Sequence, residues 1–160
     1  MSDTRGLKLL STLHADGRLI VELAEEALPA PKGNEVLVRV EAAPINPSDL
    51  GLLFPAADLE NADYSEDRVI APMPDAALRA MAGRVGQAME VGNEGAGSVF
   101  AAGDAPDAQA LLAKRVALIA GGMFAQYRLV QAGACIALPD DVTVAQSGGA
   151  FVHPLTQLGF

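Results

Sequence analysis

The chain has 160 residues, of which 51% are hydrophobic and 19% charged, and its formal net charge is −9 at pH 7. This composition is typical of one globular domain and excludes a disordered or collagen-like chain. Eleven basic residues among twenty acidic ones argue against binding to nucleic acid or to an anionic membrane surface. No run approaches the ~20 apolar residues of a membrane-spanning helix. The N-terminus lacks the apolar core of a signal peptide, so we expect a cytoplasmic protein.

The first half of the sequence favours β-strands. Apolar runs at Leu7–Leu13 and Leu19–Leu23 flank the turn signal Asp16-Gly17, and this pattern predicts a hairpin. Apolar and charged residues alternate over Glu35–Ala43, as they do in a half-buried strand. A turn at Lys32-Gly33-Asn34 precedes that strand.

A short helix is predicted over Pro47–Leu53. Asn46 can cap it, the proline occupies a first-turn position that needs no amide donor, and Asp49 complements the positive end of the helix dipole. The segment 54–74 is rich in Pro, Asp and Ala and is expected to be irregular. Residues 75–82 predict a second short helix, with Gly83 as its stop signal.

The second half is again rich in strands, with helices gathered at its end. The predicted elements are a strand over Ser98–Ala102, a loop with a helical turn over 104–113, strands over Arg115–Ala120, Phe124–Val130 and Cys135–Leu138, a helix over Thr143–Ala150, and the start of another over Pro154–Phe160. This order favours a closed or partly open antiparallel barrel with a few short helices. Because the last helical pattern has no stop signal, we expect the helix to be interrupted at Phe160.

Four segments, in this order, resemble the medium-chain dehydrogenase/reductase family. They are Glu35–Leu50, the G-x-E-G-x-G segment Val91–Val99, the G-x-x-A-x-Y strand Gly121–Val130, and the link formed by Ala137–Thr143 and Phe151–Thr156. The resemblance implies a GroES-like, partly open antiparallel barrel over residues 1–150 that shapes the substrate half of an active site. Residues 151–160 would begin the helix that leads to a Rossmann domain absent from this chain.

Two positions indicate the branch of the family. In its zinc-dependent members a cysteine precedes the aspartate of the first motif, and a histidine precedes the glutamate of the second. Here the first motif reads Asn46-Pro-Ser-Asp49, and the second has Asn93 before its glutamate. Catalytic zinc needs about three Cys, His or carboxylate ligands, which asparagines do not replace. The sequence is therefore similar to the zinc-independent quinone oxidoreductases and enoyl reductases.

That similarity implies a cofactor, a class of substrate and a separate domain that binds most of the cofactor. The cofactor would be NADPH or NADH, bound mainly by the missing domain, and the acceptor would be a quinone or an enone reduced by hydride transfer. The full-length protein is a candidate homodimer, and the chain by itself is expected to be inactive.

The resemblance also assigns candidate site residues. Asn46 would donate a hydrogen bond to the nicotinamide or to the substrate carbonyl, although it can equally serve only as the helix cap. Asp49 would lie near the floor of the active site, and pairing with the helix dipole is the interpretation we favour for it. Asn93 is a secondary candidate for cofactor binding. Glu94 occupies the place of a zinc-supporting carboxylate, and we favour a structural role for it.

Three further candidates lie outside these motifs. Tyr64, in the long segment 54–90, would stack on the substrate or only pin its own loop, and the length of that segment suggests a lid or a limit on substrate size. His153 and Thr156 match the part of the family that approaches the nicotinamide. The threonine is retained, whereas the histidine replaces an asparagine and can donate a hydrogen bond or cap the helix at Pro154.

Other interpretations stay open at this stage. The glycines of Gly92–Gly97 do not have the order of a dinucleotide fingerprint, so we expect them to permit tight turning and close backbone approach. Cys135, the only cysteine, is expected to be a buried apolar side chain. A zinc site made by His14, Cys135 and His153 has little support. The chain could also be a non-enzymatic interaction module or a truncated gene product.

Overall fold

The computed structural model describes residues 4–149, which form two five-stranded antiparallel sheets and four short helices. Sheet A has the strand order β4-β5-β2-β1-β6, and sheet B has the order β10-β8-β7-β3-β9. The strands are β1 (Thr4–Leu13), β2 (Arg18–Leu28), β3 (Glu35–Ala42), β4 (Asp63–Tyr64), β5 (Arg68–Pro72), β6 (Ala88–Glu90), β7 (Glu94–Ala102), β8 (Arg115–Ile119), β9 (Tyr127–Gln131) and β10 (Cys135–Ala137). The helices are α1 (Pro47–Leu53), α2 (Asp75–Ala80), α3 (Pro106–Leu111) and α4 (Val144–Ser147).

The predicted hairpin is confirmed by β1 and β2. The two strands pair from Thr4 opposite Leu28 to Leu13 opposite Leu19, so β2 is longer than its apolar pattern indicated. Gly17 has a φ of 79° in the connecting turn, a conformation that glycine adopts without strain.

The two sheets are joined by the short segment 124–126. The backbone N–H of Gln126 donates to the carbonyl of Leu7 in β1 at 2.8 Å, while the carbonyl of Gln126 accepts the N–H of Val40 in β3 at 2.9 Å. A second bond runs from the N–H of Leu9 to the carbonyl of Phe124 at 2.8 Å. This connection produces the partly open barrel that the sequence predicted.

A half-buried charge network crosses the same junction. Lys8 of β1 donates to Glu26 of β2 and to Glu90 of β6, each at 2.8 Å. Arg128 of β9 donates to the other oxygen of Glu90 at 2.8 Å. Glu90 therefore links both sheets through charge-assisted hydrogen bonds.

Small and medium apolar side chains fill the core of this chain, in which only 4% of the residues are aromatic. The apolar clusters include Val36, Val38, Val99, Val116, Leu118 and Met123 on sheet B, and Leu13, Leu19, Val21, Leu53, Met73 and Val91 near sheet A. Each of the two clusters draws residues from several strands, so neither forms without the long-range strand pairing.

The expectation of an irregular segment over 54–74 is wrong, because this segment contains β4 and β5. Strand β5 pairs with β2 from Arg18 opposite Pro72 to Glu22 opposite Arg68, and β6 pairs with the other side of the hairpin. The middle of the segment 54–90, at β5, and its C-terminal end, at β6, are thus paired in sheet A, which contradicts a lid that spans the whole segment. Whether the segment limits substrate size stays a prediction.

Three other boundaries differ from those predicted. Strand β7 begins at Glu94 rather than Ser98, because Gly95 and Gly97 lie within the strand where the backbone of β3 approaches closely. A Cβ on Gly97 would overlap the carbonyl of Arg39. The helical turn expected within 104–113 is longer in the structure, because α3 covers six residues and its Ala108 is buried. Strand β9 begins at Tyr127, after the junction segment.

The helix predicted over Thr143–Ala150 is shorter in the structure, and the helix predicted over Pro154–Phe160 lies outside the described residues. Helix α4 covers four residues and is capped by the Thr143 side chain, which accepts the N–H of Gln146. None of the helices within residues 4–149 is long and apolar enough to cross a membrane.

Candidate active site

Three buried polar side chains meet where α1 approaches the start of β7. Asn46 is 2% exposed, and both Asp49 and Glu94 are 0% exposed. The backbone N–H of Asn46 donates to Asp49 Oδ2 at 2.8 Å, and the Asn46 side-chain amide donates to Glu94 Oε1 at 3.3 Å. Asn46 is therefore held between two carboxylates, one on each of the two motifs that resemble the family.

The local sequence explains why α1 starts at this place. Asn46 is the N-cap residue with φ −88° and ψ 154°, and Pro47 follows at the first helical position. Asp49 returns its carboxylate to the N–H of the cap residue, which is the arrangement of a capping box. Asn46 occupies the predicted N-cap position, and its side-chain amide donates to Glu94.

Asp49 is more than a partner of the helix dipole. Its Oδ2 atom receives the Asn46 backbone N–H, whereas its Oδ1 atom is buried and has no hydrogen-bond partner in the described part of the chain. A buried polar atom left unpaired costs about 1–3 kcal/mol. Such atoms are rare in native proteins and call for an explanation such as a functional role.

A second polar pair lies beside this buried cluster and is open to solvent. The side-chain amide of Asn93 donates to Ser48 Oγ at 2.9 Å. Asn93 is half-buried and Ser48 is exposed, and a primary amide keeps a second N–H donor after one such bond. Sequence reasoning missed Ser48. Its position two residues after Asn46 in the same motif was the available signal.

Exposed apolar side chains adjoin these polar groups along the chain. Ile45, directly before Asn46, is 69% exposed, and Leu50 on α1 is 49% exposed. Ile119 of β8 pairs with Glu94 and is 52% exposed. Accessible polar groups next to apolar surface suit a small, largely apolar ligand with one or two polar atoms.

The turn at Gly92 orients the residues that follow it. Gly92 has a φ of 100°, and a Cβ there would lie 2.7 Å from the backbone nitrogen of Phe124. Met123 donates its N–H to the Gly92 carbonyl at 3.1 Å. Gly92, Gly95 and Gly97 thus permit turning and close approach, as the sequence indicated, and Asn93 and Glu94 are directed toward α1.

The other predicted site residues are not joined to this cluster by the described contacts. Tyr64 lies in β4 at the edge of sheet A rather than in a loop. Its hydroxyl donates to the Leu59 carbonyl at 2.9 Å, so the side chain holds its own segment. His153 and Thr156 lie outside the described residues.

The structure also shows the environment of Cys135 and of the side chains that could bind a metal ion. Burial raises the pKa of the half-buried Cys135 thiol to about 11, so the thiol is protonated at neutral pH, as expected of a structural cysteine. Within residues 4–149, no three His, Cys, Asp or Glu side chains are grouped in a way that could hold a metal ion.

Solved structures match the chain over nearly its whole length, whereas no protein-family model matches it. A Mesorhizobium loti protein assigned as an NADPH:quinone reductase aligns with 99% of the chain at 27% sequence identity and a TM-score of 0.62, and 43% of that protein is covered. A quinone oxidoreductase from Pseudomonas syringae aligns with 94% of the chain at 20% identity and a TM-score of 0.57, with 39% covered. The CurK enoyl reductase aligns with 99% at 19% identity and a TM-score of 0.63, with 42% covered.

These matches define the class of fold. The two antiparallel sheets with few short helices are those of the N-terminal GroES-like domain of medium-chain dehydrogenases/reductases. More particularly, the matched structures are quinone oxidoreductases and an enoyl reductase, which confirms the resemblance predicted from the four sequence segments. The chain spans less than half the length of each of them.

Proposed function

We propose that the chain is the substrate-side domain of a zinc-independent, NAD(P)H-dependent oxidoreductase that reduces quinones or enones. The observation that carries this proposal is Asn46, whose backbone N–H donates to Asp49 and whose side-chain amide donates to Glu94, beside the accessible Ser48–Asn93 pair. The names of the matched structures support the reaction class.

The donor groups fit an acceptor that gains negative charge. NAD(P)H, when bound, supplies the hydride. Asn93 and Ser48 present accessible donors that can bind a carbonyl oxygen or a carboxamide, and such donors stabilise developing charge on the oxygen. The buried Asn46 orients this end of α1 through its two carboxylate contacts. Asp49 Oδ1 has no partner among the described residues, and because Asp49 is 0% exposed a bound group would contact this atom only after α1 moves.

The donor set does not fit catalytic zinc. Zinc in enzymes is held by thiolate, imidazole and carboxylate ligands, whereas the family's two ligand positions here carry Asn46 and Asn93. An amide group binds zinc poorly in comparison. The proposed reaction therefore contains no metal-dependent step.

The remaining parts of the proposal concern regions beyond this cluster. The nucleotide would be bound mainly by a second domain that follows residues 151–160, with His153 and Thr156 close to the nicotinamide. Tyr64 is retained as a candidate for substrate contact, although its hydroxyl is engaged. We also propose a cytoplasmic protein that dimerises in its full-length form.

Two measurements test the proposal. Calorimetry of the 160-residue chain with NADPH should show no binding, and a longer chain that includes a nucleotide-binding domain should oxidise NADPH in the presence of a quinone or an enone. In that longer protein, Asn93→Ala should lower kcat/KM by about 10- to 100-fold. The matched control is Asn34→Ala, since Asn34 is exposed in a turn. A longer protein that binds NADPH but reduces neither acceptor class would overturn the proposed substrates.

A further inference from the structure

Arg84 contacts the C-terminal end of α1 although it belongs to a distant 3-10 turn, Ala82–Arg84. Its Nη2 atom donates to the Leu52 carbonyl at 2.8 Å and to Ser11 Oγ at 2.8 Å. The Ser11 hydroxyl in turn donates to the Leu53 carbonyl at 2.8 Å. The guanidinium and the hydroxyl thus satisfy carbonyl groups in the last turn of the helix, which would otherwise lack partners.

The environment of Arg84 is costly for a cation. No ion pair joins it to a carboxylate within residues 4–149. Its Nε atom is buried without a hydrogen-bond partner, and burial lowers the pKa of the guanidinium. Desolvation of an unpaired charge opposes folding. Arg84 is half-buried, and the acceptors on α1 and β1 supply the hydrogen bonds that a carboxylate partner would otherwise provide.

Helix α1 depends on such contacts for its position. It has seven residues, and only Asp49 and Leu53 are buried. A helix of this length is unstable without tertiary support. Its last turn contains no basic residue, so the cation that complements the C-terminal carbonyls comes from another part of the chain.

The backbone next to Arg84 is fixed to the same strand that carries Ser11. The N–H of Gly86 donates to the Leu13 carbonyl at 2.8 Å, and Val85 forms a parallel bridge with Leu13. The guanidinium therefore extends from a segment that is anchored on β1. This arrangement ties the end of α1 to sheet A, while Asn46 ties its beginning to Glu94 of sheet B.

We propose that Arg84 is a positioning residue of the active site. It holds the last turn of α1 against β1 and thereby sets where Asn46, Ser48 and Asp49 lie relative to β7. The effect of Arg84 on the position of α1 can be measured without any enzymatic activity. Its consequence for catalysis rests on the proposed function.

The effect on the position of α1 is tested by nuclear magnetic resonance on the 160-residue chain with Arg84→Met. The expected result is a displaced side-chain amide signal of Asn46 and a displaced backbone amide signal of Asp49, both far from the substitution along the sequence. Arg79→Met, which changes an exposed arginine in α2, is the matched control and should leave both signals in place. A folded Arg84→Met chain with unchanged Asn46 and Asp49 signals would overturn the inference.

Two milder variants keep the test decisive if Arg84→Met does not fold. Arg84→Lys keeps the charge but replaces the planar guanidinium, whose Nη2 atom contacts both acceptors, with a shorter ammonium group of different hydrogen-bond geometry. Ser11→Ala removes the hydroxyl link to Leu53. Each should displace the same two signals by a smaller amount. Wild-type signal positions in both variants would refute the positioning role.

Activity measurements distinguish failure of the positioning role of Arg84 from failure of the proposed function. In a longer protein that oxidises NADPH, Arg84→Met should lower kcat by about 10- to 100-fold with little change in KM, because misplaced donors weaken stabilisation of the transition state. An inactive wild-type protein would refute the proposed function and leave the resonance result standing. An active wild-type protein with an equally active Arg84→Met variant would refute the inference alone.

Discussion

The buried cluster around Asn46 allows a sharp prediction from an almost isosteric substitution. Asn46→Asp changes the volume little but replaces the amide that donates to Glu94 at 3.3 Å with a third carboxyl group. The variant loses this hydrogen bond and places the new carboxyl group beside those of Asp49 and Glu94 in a site that is 2% exposed, where it must be either desolvated as an anion or protonated. Leaving a buried charge uncompensated costs about 3–5 kcal/mol, so we expect a loss of that size in the free energy of unfolding at pH 7.

The pH dependence of this loss has a definite sign. Burial favours the neutral form of the introduced carboxyl, so the folded variant binds a proton that the unfolded chain releases above its ordinary pKa of about 3.9. Stability falls with pH where the folded state binds more protons. The deficit of Asn46→Asp relative to the wild type should therefore grow between about pH 4 and pH 7.

Urea unfolding, followed by circular dichroism at several pH values, measures this deficit. Asn93→Asp is the matched control, because the same chemical change occurs at a half-buried amide whose partner, the Ser48 hydroxyl, can turn and donate to a carboxylate. The control should lose less than about 0.5 kcal/mol. If both variants lose the same free energy, with unchanged dependence on urea, then the buried arrangement of Asn46 is refuted.

Three further predictions concern the scaffold. Burial raises the pKa of Glu90, but the hydrogen bonds and charges of its two basic partners outweigh it and lower that pKa. Its stabilising contribution is therefore present at neutral pH and lost as pH falls through its lowered pKa, so Glu90→Gln should cost about 1 kcal/mol at pH 7 and progressively less in acid unfolding experiments. Gly97→Ala should lower the free energy of unfolding by more than about 2 kcal/mol because its Cβ would overlap β3, whereas Gly133→Ala, with open space around it, should change it little. Cys135 should react with iodoacetamide at pH 8 about 100-fold more slowly than a free thiol, and equal rates in the folded and urea-unfolded chain would contradict its burial.

Local signals in the sequence were sufficient to predict the elements that begin or end at residues with a strong preference for turns or helix caps. The Asp16-Gly17 turn between two apolar runs predicted the hairpin, since glycine adopts the required positive φ. Asn46 and Pro47 predicted the start of α1, because the cap and the first helical position each have specific residue preferences.

The elements that were missed depend on distant partners. Strands β5 and β6 have five and three residues, which is too short for a period to be visible, and each exists because it lies beside β2 or β1. The contact between Asn46 and Glu94 joins residues 48 positions apart, and it is fixed by strand register and by the turn at Gly92. The contact of Arg84 with α1 could not be predicted either, since no pattern in the sequence around Arg84 indicates that it lies beside this helix.

The backbone of Gln126, which both sheets share, has a consequence for how the domain unfolds. Its N–H belongs to the hydrogen bonding of one sheet, and its carbonyl belongs to that of the other. Separation of the sheets therefore breaks at least one of these two bonds, and neither sheet can open at this seam without disturbing its neighbour. Partial opening should begin instead at remote edges such as β4 and β10, while the residues around the seam and the nearby polar cluster exchange their amide protons only with the most stable part of the domain.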